Sequence, residues 1–272
     1  MNYKLLQHDF RTGLLRKRYL WLPLLFIIPC YISSRITTAL GMPGTWLDYL
    51  CFFFFGCEPI YLNSLDKVIL PVQWLSLVGG LLLVNLDYLL YDLDNAGQQI
   101  IVRSASRTQW FISKCMWNIA STMVYFIEMA VVAWFFCVIK GGESTLTQIS
   151  EVSVGTYNVA EITLQDGGKL AFAAILMPFF TLAAASLLQM ALCIFIPPVF
   201  SFFFVFMIME LSVLLPFPVL MGNAAMAIRS GILHPGFMNV GMEILANTVV
   251  MVGSIVMGAI GFRRKDIIKW RE

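Results

Sequence analysis

Charge is what this sequence has least of. Aspartate, glutamate, lysine and arginine make up only 12% of its 272 residues, where soluble domains carry about 25%. Histidine is scarcer still, with His8 and His234 alone. No Cys/His cluster has metal-ligand spacing, so no metal site is expected. Two distant histidines also give little basis for a membrane hydrolase, which needs clustered His, Asp or Ser at one membrane face. The nearest approach to a G-x-x-x-x-G-K-[ST] phosphate loop is Gly167-Gly168-Lys169, and Leu170 follows it. The chain therefore cannot hold ATP by a P-loop. Internal repeats, low-complexity tracts and a soluble domain are lacking, so residues 1–272 read as a single domain. The first apolar run is not followed by a small-residue cleavage site, and no removable signal peptide is expected. A net charge of +2 is too small to point to nucleic acid.

Apolar surface is abundant instead. The chain is 59% hydrophobic, more than a water-soluble fold can hide, which predicts an all-α integral membrane protein. A crossing helix needs about 20 mostly apolar residues. Six stretches qualify, roughly 20–40, 69–91, 114–139, 170–196, 198–221 and 243–262. Basic residues stay cytoplasmic in short loops. Lys4, Arg11, Arg16, Lys17 and Arg18 precede the first stretch; Arg103, Arg107 and Lys114 follow the second; Arg263, Arg264, Lys265, Lys269 and Arg271 close the chain. Six spans put all of them on one side, with both termini cytoplasmic. The loop 140–169, with Glu143, Glu151, Glu161 and Asp166, falls on the other side. LDYLCFFFFGCEPIYL (47–62) is a rival seventh span, but Gly56 and Pro59 interrupt it and a re-entrant or interfacial segment fits better. Residues 216–242 are apolar but broken by Pro216, Pro218, Gly222, Gly231, Pro235 and Gly236, which predicts an outer re-entrant segment before span six. Cys30, Cys115, Cys137 and Cys193 lie in or beside spans as small apolar fillers. Cys51 and Cys57 share an outer segment and either pair or remain free thiols.

Two cytoplasmic pieces bear on mechanism. Residues 2–18 are amphipathic, with Leu6, Phe10, Gly13 and Leu14 on one face and Lys4, His8, Arg11 and Arg18 on the other. Such a helix is expected in the headgroup region. Between spans two and three runs NAGQQIIVRSASRTQWFISK (95–114). Asn95 with Gln98 is a cap-like pair, and Ser106 with Gln109 is an S-x-x-Q capping box. Two helix starts predict a short helix over about 96–104, a break, and then span three. Either this is a separate cytoplasmic knob or its arginines serve topology alone.

The same stretch is similar to the coupling-helix region of type-2 ABC exporter permeases. Gly97, the pair Ile100–Ile101, Arg103, Ser106–Arg107 and Lys114 match that pattern in order, and the tail GAIGFRRKDII (258–268) resembles the usual ending of such chains. The resemblance implies a plasma-membrane permease subunit, of bacterial type, that borrows its motor. A separate ABC ATPase, in two copies, would bind ATP and Mg and receive Gln98, Gln99, Ile100, Ile101, Arg103, Ser106 and Arg107. Six spans imply half a transporter, completed by a second copy or a related permease. The long apolar segment 41–68 departs from the pattern.

Ionisable residues inside spans are candidates for the substrate path. They are Asp87 at the cytoplasmic end of span two, Glu128 in span three and Glu210 in span five. Glu128 and Glu210 stand about 21 and 18 Å from the cytoplasmic ends at 1.5 Å per residue, a similar depth. Either they attract a cationic or amphipathic substrate, or they are hydrogen-bonded between helices. The expectation is export of amphipathic or hydrophobic substrates, with toxin-type or antimicrobial peptides first. Hydrophobic drugs, a polysaccharide or lipid cargo, and an ion-gradient-driven secondary transporter are the alternatives.

Overall fold

In hydrocarbon every backbone N–H and C=O needs an internal partner. Among the described residues the chain meets that demand with helices alone; its one strand-like contact is an isolated bridge between Thr45 and Glu143. The computed structural model describes residues 3–14, 18–39, 44–58, 70–93, 97, 101, 106–147, 167–232 and 239–264. In chain order these form α1 (Tyr3–Leu14), a 3-10 turn (Tyr19–Trp21) running into α2 (Leu22–Ala39), α3 (Trp46–Phe54), α4 (Val72–Val84) and α5 (Tyr88–Asp92). Then follow α6 (Arg107–Ile139), α7 (Gly167–Ala171) joined by a π-turn to α8 (Met177–Leu192), α9 (Pro198–Leu214), α10 (Met221–Ala224), a 3-10 turn (Ala227–Arg229) and α11 (Val240–Arg264).

Five helical stretches are long and apolar enough to cross a membrane: Tyr19–Ile36, Val72–Asp92, Arg107–Ile139, Gly167–Leu192 and Val240–Arg264. The helix expected over 198–221 is shorter. It starts at Pro198, where a missing N–H costs nothing, and stops at Leu214, ahead of Pro216 and Pro218, which cannot continue it. Its 17 residues reach about 25 Å. In the rival span 47–62 the described residues, as far as Glu58, leave the helix after the nine-residue α3, which is too short to cross by itself. Thr45 and Asp48 start α3 with a reciprocal capping box. All six cysteines are free thiols, so Cys51 and Cys57 do not pair.

α6 is the organising element. Ser106 caps it, its side chain accepting from the Gln109 N–H, and Gly141 at φ +70° ends it in the left-handed turn that favours glycine. α1, α2, α3, α8 and α11 all pack on it. Between them lies an aromatic core in which Phe26 meets Tyr125 edge-on at 4.9 Å and Phe54 stacks on Phe126 at 5.3 Å. A polar chain threads the bundle: Tyr19 donates to Ser121, Ser121 to Asn85 Oδ1 (2.5 Å), and Asn85 Nδ2 to Ser186 (2.8 Å). Asn85 stands where the helix turns between α4 and α5, so one side chain marks the break and ties α4 to α6 and α8.

The segment after α9 packs back onto this bundle, with α10 against α8, α9 and α11. Residues 221–230 are wholly buried, and Arg229 holds them in place. Its guanidinium donates to five oxygens: the carbonyls of Cys57 (2.9 Å), Glu58 (3.1 Å), Ser212 (2.6 Å) and Val213 (2.9 Å), and Asn223 Oδ1 (2.6 Å). The two serine and valine carbonyls are ends of α9 that have no intrahelical donor, where positive charge is also favoured. Gly56, at φ +83°, lets the chain pass Met226, whose Cβ stands 2.6 Å from where a Gly56 side chain would begin. Lysine has three donors for these five acceptors. Arg229→Lys should therefore leave at least two buried carbonyls unpaired and cost about 2–6 kcal/mol. Thermal unfolding in detergent measures this; a lysine variant as stable as wild type would refute the assignment.

Candidate functional site

A lysine near the end of a membrane helix ordinarily extends its stem toward water. Lys114, two turns into α6, does the opposite and is fully buried. Its ammonium lies between the carboxylates of Asp9 on α1 and Asp92 at the end of α5, contacting Asp9 Oδ1 directly and Asp92 Oδ2 at 2.7 Å. Asp9 also accepts from Ser113 Oγ (2.5 Å), and the Tyr88 hydroxyl donates to the Asp9 carbonyl at 3.2 Å. The Lys114 ammonium sits 4.8 Å from the Trp110 ring centre and 5.1 Å from that of Tyr88, within cation–π range. His8 Nε2 lies 3.8 Å from Asp92 Oδ1, so a protonated His8 would balance the second carboxylate.

Close backbone approach makes this knot possible. Tyr88 stacks on Trp117 with ring centres 3.5 Å apart, and Gly13 of α1 lies against both. A Cβ on Gly13 would fall 2.0 Å from Trp117 Nε1 and 2.8 Å from Tyr88 Cε2. Among the α1 residues whose burial is described, Asp9 and Gly13 are buried one turn apart, and His8 and Phe10 are half-buried beside them, so the buried side takes in Asp9 along with the expected Phe10 and Gly13. Leu6 and Leu14 lie outside the residues whose side chains are described. Next to the knot, Arg18 pairs bidentately with Asp87 at 2.5 and 2.7 Å, and that bond holds the Arg18 pKa above its ordinary value.

The interhelical stretch expected to form the coupling helix is fastened to the same end. Gly97 fits beside the Asp92 carbonyl, which a Cβ would meet at 2.7 Å. Ile101 is buried in a cluster with Leu89, Trp110, Phe111, Leu187 and Phe262, drawn from α5, α6, α8 and α11. Gln98, Gln99, Ile100 and Arg103 lie outside the described residues. Ser106 and Arg107 open α6, where with Thr108 and Arg263 they line a polar pocket of about 460 Å³. Arg107 Nη1 donates to the Arg263 carbonyl at 3.4 Å.

The three expected path residues are placed apart. Asp87, at the start of α5, is paired with Arg18. Glu128 is half-buried on α6 with Oε2 enclosed and without a hydrogen-bond partner. Glu210 is exposed on α9, which packs chiefly on α4, α8 and α10 rather than on α6. Sequence reasoning missed Asp9, Asp92, Arg229 and Glu243. Glu243, in the first turn of α11, is buried with neither carboxylate oxygen hydrogen-bonded, one turn from Asn247, which donates to Thr181 at 2.9 Å. One signal was available: Asp9 is the sole acid in a strongly basic N-terminal segment, and Arg229 the sole arginine in the apolar stretch 216–242. Among the described residues no group of His, Cys, Asp and Glu could hold a metal ion.

Residues 67–268 match the family described as "Protein of unknown function (DUF2705)", and the chain belongs to that family. No curated protein and no solved structure matches it.

Burying an ion pair is costly, but removing one member costs more, because it strands the other. Lys114→Met leaves Asp9 and Asp92 facing each other and should destabilise the protein by about 3–5 kcal/mol. Adding Asp9→Asn and Asp92→Asn should restore at least half of that loss. Denaturation followed by tryptophan fluorescence is the measurement, and a triple variant weaker than the single one would disprove the electrostatic account.

Proposed function

We propose that this member of the DUF2705 family is the transmembrane subunit of an ATP-driven exporter, working with a separate ABC ATPase. In this reading the five long helical stretches and α9 make six crossings, both termini face the cytoplasm, and the stretch expected over 216–242 is the outer re-entrant segment. α1 lies at the cytoplasmic membrane surface of a bacterial cell. The observation that carries the proposal is how Gly97, Ile101, Ser106 and Arg107 are anchored. Ile101 is held among the ends of α5, α6, α8 and α11, so a push on this stretch reaches several crossings at once. Arg107 and Arg263 frame a polar pocket beside it, a match for carboxylates on a docking ATPase. Without a P-loop of its own, the chain leaves ATP and Mg to that partner.

α9 supports a second copy. Phe200, Phe203, Phe204, Met207, Leu211 and Leu214 are exposed along it, and Glu210 falls within the same stripe. A carboxylate facing lipid is unfavourable by about 2.5–3.5 kcal/mol at mid-membrane. A path between two copies, used by amphipathic or hydrophobic cargo with peptides first, gives Glu210 a polar neighbour. Asp87, already bound to Arg18, is less suited to that role than Glu128 and Glu210.

Charge reversal at Arg103 and Arg107 together should uncouple ATP hydrolysis from transport in the reconstituted complex while the chain still inserts and folds. Normal coupling in that double variant would exclude the docking role.

A further inference from the structure

The last turn of α11 ends in two arginines that line different hollows. Arg263 faces the polar pocket beside Arg107. Arg264 stands at the head of a second hollow, a groove of about 470 Å³ lined by Phe195, Met257, Ile260 and Gly261. We propose that this groove binds one anionic phospholipid, its phosphate on Arg264 and an acyl chain along α11.

Three observations converge on that occupant. Arg264 closes a 25-residue apolar helix, and a basic residue in that position marks the boundary between hydrocarbon and headgroups. From Arg264 the groove runs down to Met257, seven residues or about 10 Å along the helix, into the depth of the acyl chains. Its walls are apolar and open outward: Phe195 is 52% and Ile260 47% exposed. The floor depends on residue 261 having no side chain, because a Cβ there would lie 2.3 Å from Phe195 Cζ. A guanidinium above an apolar channel complements a phosphate diester above a hydrocarbon chain. A water-soluble anion would leave the channel unfilled, and an apolar helix would leave Arg264 without a counter-charge. The inference does not depend on a partner ATPase.

The full-length chain, purified in mild detergent and incubated with equal amounts of phosphatidylglycerol and phosphatidylcholine, should retain the first over the second by about fivefold, the equivalent of one basic residue at a membrane surface. Native mass spectrometry reads that ratio. Arg264→Gln should bring it to near one, and Arg263→Gln, on the polar-pocket side, should leave it as in wild type. Met257→Trp, which fills the channel, should lower retention of both lipids. Equal retention by wild type, an equal loss of preference in Arg263→Gln, or displacement of phosphatidylglycerol by inorganic phosphate would each overturn the site. The two glutamine variants replace exposed side chains, so a change confined to one of them reports binding rather than folding.

Discussion

One buried ammonium ties α1, α5 and α6 together at one end of this molecule. Lys114 accepts the company of two carboxylates from two other helices, and in a low-dielectric interior each of these charges would be strongly unfavourable alone. The knot therefore behaves as all or nothing. α1, the end of α5 and the start of α6 stay together as one unit or separate together. The close stack of Tyr88 on Trp117 and the bare Cα of Gly13 let that unit form, and Ile101 and Gly97 attach the following stretch to the same unit. In the exporter we propose, a rigid unit at this end would pass force applied at its surface to the helices that follow it.

The segment around Arg229 is organised by the same physics with a different partner set. Arg229 is surrounded by carbonyls and an amide, many of them groups left over where helices stop. A single planar donor fork satisfies several broken backbone segments at once. Between the two knots the bundle relies on aromatic packing and on a thin line of neutral hydrogen bonds through Asn85, Ser121 and Ser186. Neutral interhelical bonds of that kind are worth about 0.6 kcal/mol each, so the middle is the softer part and the ends are the stiffer ones.

Much of the fold was legible in the sequence because hydrophobicity and helix capping are local. Helices long and apolar enough to cross appear close to the bounds expected at 69–91 and 170–196, and Ser106 starts a helix where its S-x-x-Q pattern says it should. The helix begins at Arg107, ahead of the apolar run that starts the expected span at 114, because Ser106 caps it there and Trp110 and Phe111 are buried in its first turns. α9 ends early because proline chemistry overrides apolar character at 216 and 218. The knots were not legible, and for one reason. Lys114 and Asp9 are 105 residues apart, and each reads locally as an ordinary marker of the cytoplasmic side. Arg229 hides in an apolar segment whose prolines and glycines drew the attention instead. Long-range charge pairing leaves no periodic trace in a single chain.

The central claim is that Lys114 fastens α1 to α6. Spin labels at Arg11 on α1 and Met116 on α6, both solvent- or lipid-exposed positions in the structure, allow the separation to be measured by pulsed electron resonance. A narrow distance distribution in the otherwise wild-type chain that becomes broad and longer in Lys114→Met is the predicted result. The same narrow distribution in both proteins, or a broad one in both, would contradict the account.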